Sequence, residues 1–139
     1  MVTQEEADAL YNAKKVIPED ISIKWQPIVC KGIQRHTLRV PVITEEGLEL
    51  ILDAYYSNSR RGKSYSFCLL YKSSIPIRIW DYNKHYYKEK FSHKHYWDGA
   101  NKNQVYEVDD ICLSDVNQAF DDFLKECKIE FNGIYQAII

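Results

Sequence analysis

Two histidines two residues apart, His93 and His95 in Phe91-Ser92-His93-Lys94-His95-Tyr96-Trp97, have the types and spacing best suited to chemistry in this chain. On a strand, alternate residues share a face, so the two rings would start roughly 6.5–7 Å apart along the backbone. A pair so placed can divide one phosphate between them, one ring as base and the other as acid, in RNA cleavage through the 2′-hydroxyl. Such chemistry needs positive charge on the phosphate. His85 and Arg78 are the candidates to hold it, while Lys63, Lys88 and Lys94 would stabilise a pentacoordinate transition state. Tyr82 and Tyr96, with Tyr86 and Tyr87, can stack bases or donate hydroxyl hydrogen bonds. The plainer reading is a solvated, Tyr- and Lys-rich surface.

The same histidines could instead ligate a metal, if the fold brought His85, Asp81, Asp98 or a cysteine beside them. No second spaced pair accompanies them, so the expectation is no metal and no cofactor. Asp53 interrupts an apolar run after Leu52 and could orient an arginine or histidine from a neighbouring strand, Arg78 being the obvious partner; the alternative is an edge-strand charge that discourages aggregation. His36, between Arg35 and Arg39, reads as an ordinary strand residue. Gly62-Lys63-Ser64 has the letters that end a phosphate loop but lacks the earlier glycine, and no G-x-S-x-G, H-E-x-x-H or EF-hand pattern occurs.

Charge is concentrated where the histidines are. Residues 1–59 carry six basic and nine acidic groups, residues 60–94 nine and two, and residues 95–139 three and nine, giving −3, +7 and −6. Nine of the eleven tyrosines fall between Tyr55 and Tyr106. A cationic aromatic centre between acidic flanks points to nucleic acid for the centre, or to a basic partner for the flanks. Cys30, Cys68, Cys112 and Cys127 are far apart, with no C-x-x-C, and read as reduced thiols. No apolar run nears the ~18 residues of a membrane span and no export signal opens the chain. The expectation is a cytoplasmic, membrane-free, single domain over 1–139.

The elements that must position these residues are legible from hydrophobic periodicity. Thr3-Gln4-Glu5-Glu6 is a capping box opening a helix that carries Ala7, Leu10 and Tyr11, with Lys14 and Lys15 expected at its end. Val116, Ala119, Phe120, Phe123, Leu124 and Cys127 form the apolar stripe of a second helix, with Ser114 as its expected cap. Between them the period is two, through Ile21–Trp25, Leu38–Val42, Leu48–Asp53, Tyr65–Tyr71 and Ile75–Trp80. Residues 57–62 read as one hairpin loop and 72–74 as a tighter turn. Arg78 is expected on the strand face opposite Ile77 and Ile79. The fold class is α+β: a curved antiparallel meander of about 5–7 strands, with an N-terminal helix and a C-terminal amphipathic helix packed on the sheet.

Ile79-Trp80-Asp81-Tyr82-Asn83, then His85, then Phe91-Ser92-His93-Lys94-His95 resembles the central signature of TumE-type toxin–antitoxin proteins, with Ser92 in place of a proline. The chain also resembles a poorly characterised bacterial and prophage family that opens T-x-E-E-A-D-x-L (here Thr3–Leu10), continues through an L-D segment (Leu52-Asp53), an R-x-D segment (here Arg78 to Asp81) and H…H-x-H-x-Y, and ends in F-x-x-C-x-I. Tyr55 and Tyr56 stand where that pattern has an arginine. These resemblances imply a small, metal-independent RNA-cleaving protein of a mobile element or toxin–antitoxin locus, with an antitoxin as its protein partner. The other reading is a non-enzymatic inhibitor of a host defence nuclease that acts by protein–protein binding; a metal-dependent hydrolase stands third. Partners are thus RNA or a host protein complex. A homodimer is a common fate of small sheets with exposed aromatics.

Overall fold

Thr3 starts the first element as its type demands. It is extended at φ −80°, ψ 164°, and its hydroxyl accepts the Glu6 amide at 3.1 Å, capping α1 (Gln4–Asn12). The structure is a computed structural model. It describes residues 3–30, 33–59, 62–72, 74–83, 92–97, 103–107 and 115–138, with side chains for 3–28, 35–58, 63–72, 74–81 and 115–138.

The helix stops sooner than the late lysines suggest. Ala13 is already extended, and Lys15 begins a strand, β1 (Lys15–Val16). Its side chain explains the stop. Lys15 is 1% exposed, and its ammonium donates to the carbonyls of Tyr11 at 2.9 Å, Ala13 at 2.8 Å and Cys127 at 2.6 Å. One buried cation thereby satisfies carbonyls left over at the ends of both helices.

Short β2 (Ile23–Lys24) and β3 (Gln26–Cys30) lead into β4 (Ile33–Thr44), β5 (Glu49–Ser59), β6 (Gly62–Tyr71), β7 (Ile75–Asn83), β8 (Ser92–Trp97) and β9 (Asn103–Glu107). β4 to β9 pair consecutively and antiparallel, which is the meander that the period-two runs and short turns require. After α2 (Val116–Glu126) come β10 (Ile129–Glu130), parallel to β1, and β11 (Tyr135–Gln136), parallel to β2. The α+β class, the curved meander and both terminal helices agree with the sequence reading. The two short parallel pairings are additions that no periodicity announces.

Both helices lie on one face of the sheet, called inner here. Leu38, Val40, Val42, Leu50, Leu52, Phe67 and Leu69 point inward and are buried, as are Val116, Ala119, Phe120, Phe123 and Leu124 of α2. Phe123 stacks on Phe67 at 5.6 Å and meets Trp80 edge-on at 5.4 Å. Each such ring contributes roughly 1.5–3 kcal/mol of burial. Asp115, not Ser114, caps α2, accepting the Asn117 amide at 2.9 Å; Ser114 lies outside the described residues. Asn117 and Tyr135 then tie the C-terminal segment down: Trp25 Nε1 donates to the Tyr135 hydroxyl, which donates to Asn117 Oδ1. Among the described residues, no helix is long and apolar enough to cross a membrane.

One irregularity decides the site. Leu70 pairs with Pro76 and Leu69 with Arg78, so Ile77 is an extra residue in β7. A bulge of this kind shifts the alternation of everything after it. Ile77 is buried, yet Arg78 and Trp80 also face inward, and Ile79 and Asp81 fall on the outer face.

Candidate functional site

The register divides the sequence candidates between the two faces. Arg78 pairs with Tyr96, Trp80 with Lys94 and Tyr82 with Ser92, all inner-face positions. Ile79 pairs with His95 and Asp81 with His93, both outer-face positions. The H-x-H pair does occupy one face of a strand, as its spacing requires. Arg78 and positions 82, 94 and 96 lie on the other. The backbone of His93, His95, Tyr82, Lys94 and Tyr96 is described; His85 and Lys88 lie outside the described residues.

Arg78 is 8% exposed and already engaged. Its Nε donates to Glu126 Oε2 at 2.7 Å, and the same oxygen accepts Trp80 Nε1 at 2.7 Å. The guanidinium also sits over the Tyr11 ring, 5.2 Å from its centroid. This is a buried, charge-assisted cluster joining β7, α1 and α2. Glu126 was not singled out from sequence, although it stands three residues after Phe123 and so falls beside the apolar stripe. A carboxylate at the margin of a buried helix face is the signal that pairs it with a buried cation.

Asp53 does not meet Arg78. Its carboxylate accepts Arg39 Nη1 at 3.1 Å on the outer face, because β4 and β5 place Arg39 directly opposite it. Nor is it an edge charge, since β5 lies between β4 and β6. Next along the row, Cys68 is opposite both Asp53 and Ile79. Burial first, then the charges of Asp53 and Asp81, push its thiol up to about 12, so it stays protonated and unreactive at neutral pH. In the following row, position 93 lies between Asp81 on β7 and Glu107 on β9. Position 93 is thus flanked in register by two acidic residues, whereas position 95 lies between Ile79 and Val105.

Lys63 is exposed near the start of β6, opposite Asn58 and about 27 Å of strand from Tyr71 at the other end. His36 is half-buried with its ring 6.1 Å from Tyr56. Among the described residues, no three His, Cys, Asp or Glu side chains converge as metal ligands. A groove of about 470 Å³ runs between α1 and the β4–β5 turn, lined by Glu6, Leu10, Glu45, Leu48 and Tyr71 among others, and it contains none of the sequence candidates. Of the acidic patch Asp109, Asp110, Asp115, Asp121 and Asp122, the last three lie on or before α2, Asp122 half-buried, and Asp109 and Asp110 lie outside the described residues; Lys125 pairs with Asp121 at 2.9 Å.

No family model matches the sequence, and neither a curated protein nor a solved structure matches it.

Proposed function

We propose that this chain acts by binding a protein partner, as a non-enzymatic inhibitor of a basic-surfaced nuclease, and not by cleaving RNA. The observation that carries the reading is the place of Arg78. The arginine expected to hold the scissile phosphate is inside the fold with Glu126, separated by the sheet from positions 93 and 95. The carboxylate of Asp81 stands opposite position 93 on that face and opposes phosphate binding there. The partner's docking surface is the exposed side of α2, where Asp115, Asp121 and Asp122 present negative charge to a cationic protein.

One observation favours the RNA-cleaving reading as a second. Asp81 stands opposite position 93, the cross-strand placement in which a carboxylate orients a histidine as a base. In that reading phosphate contacts fall to lysines, because Arg78 is engaged.

The test starts with a partner captured from host extract, identified, and recombined with this protein in purified form. Asp121→Lys with Asp122→Lys is expected to weaken that complex at least about tenfold. Asp121 is exposed and Asp122 half-buried, and the reversal removes the Asp121–Lys125 pair and the Gln118–Asp122 hydrogen bond, so the fold should lose about 1–2 kcal/mol and stay folded. A complex indifferent to the reversal, or RNA cleavage abolished by His93→Ala, would overturn the proposal.

A further inference from the structure

The groove between α1 and the β4–β5 turn, about 470 Å³, is in the size range of ligand sites. Glu6, Ala9, Leu10 and Ala13 are three and four residues apart, so they share one side of α1 and its C-cap. The two alanines leave that wall bare where longer side chains would close it. Across from them stand Glu45, Glu46 and Leu48 of the turn. The charge is one-sided. Three carboxylates line the groove against the single ammonium of Lys14, and among the described residues no cation pairs with Glu6, Glu45 or Glu46. Lys72 has its ammonium over the Tyr71 ring, 5.4 Å from the centroid, and not against a carboxylate. Beside these unpaired acids, Leu48 is 41% exposed.

We infer that this groove binds a short basic segment of a protein partner, whose aliphatic side chains pack on Ala9 and Leu48 while its flanking arginines or lysines meet Glu6 at one end and Glu45 and Glu46 at the other. The two ends are set by the fold. Glu6 is in the first turn of α1, and the Glu45 amide donates to the Lys14 carbonyl at 3.2 Å, which holds the turn's acids at the helix's far end. From Glu6 to Ala13 the chain rises about 10 Å, the span of three extended residues. Charge complementarity selects the occupant. Nucleic acid or anionic lipid would meet three carboxylates, and a wholly apolar segment would desolvate them without a partner. Arginine and lysine carry aliphatic stems that suit the alanine wall and heads that reach the acidic rim. No residue of α2 lines the groove, so the inference stands apart from the acidic α2 surface.

The experiment is a fluorescence-polarisation titration of the purified full chain against a labelled peptide, Gly-Arg-Leu-Leu-Arg-Gly, at about 50 mM salt. Saturable binding with a Kd of about 100 µM or tighter is expected. Exchanging both arginines of the peptide for glutamate should abolish it, and exchanging both leucines for serine should weaken it about tenfold. In the protein, Glu45→Lys with Glu46→Lys should weaken binding at least about tenfold, and so should Ala9→Tyr, which fills the groove. All three positions are exposed, so the far-ultraviolet spectrum should not change. Asp121→Lys with Asp122→Lys should leave peptide binding as it is, which separates this groove from the α2 surface. A flat titration to about 1 mM, equally tight binding of free arginine amide, loss of binding in the α2 reversal, or an affinity untouched by the groove variants would overturn the inference.

Discussion

At the scale of single residues, two buried cations shape the molecule in opposite ways. Arg78 is paired with Glu126, so removing one partner leaves the other's largely buried charge without its counter-ion. Arg78→Met is expected to cost about 3–5 kcal/mol, while Arg78→Met with Glu126→Leu should recover most of it; urea unfolding of the three chains checks this. Lys15 has carbonyls but no carboxylate. Burial, opposed by Cys127 and helped by Lys128, lowers its ammonium to about 8 from the ordinary 10.5. Between those values the unfolded chain binds more protons than the folded one, so stability rises with pH through that window. Cys68 and Cys127 act the other way. Burial pushes both thiols up to about 12 from 9, so the unfolded chain loses their protons first and stability falls above pH 9. The urea midpoint should therefore climb from pH 7.5 to a maximum near 9 and then decline. In Lys15→Met the climb should be absent; a climb that survives would remove Lys15 as its cause.

At the scale of elements, α2 is the lid on the core. Phe123→Ala should cost about 3–5 kcal/mol, because its ring bridges Phe67 and Trp80, and Asp115→Ala about 1 kcal/mol through the lost cap. Thermal unfolding of both variants tests the ordering; equal effects would contradict it. The buried face of this helix was legible in the sequence, since an i, i+3, i+4 stripe has one physical meaning, whereas its cap is Asp115 and not the expected Ser114. The long strands of the meander were legible for the same reason: Leu50 and Leu52 are wholly buried where the alternation demanded. The face of Arg78 was not. A regular strand through Ile75-Ile77-Ile79 turns Arg78 away from the core, and only the bulge at Ile77 reverses it. Bulges arise from the fit of β7 to β6, a property of two strands together. Likewise, the partner of Asp53 depended on register. Arg39 lies fourteen residues before it, and nothing local separates it from Arg78 as a candidate.

At the scale of the whole molecule, a sheet with one helix-covered face sorts its charged residues by side. The cationic, aromatic middle of the sequence does not remain one patch, because strand alternation distributes it between core and surface. Arg78 becomes structural, Cys68 is held protonated chiefly by burial, and positions 93 and 95 share a face with Asp81. The measurement that bears most directly on this account is RNA cleavage by the purified chain, beside His93→Ala and His95→Ala, with labelled RNA in EDTA and again with Mn²⁺. The same trace background is expected from all three chains in both conditions. Cleavage by the parent chain that disappears in both variants would contradict it and make the histidine pair catalytic.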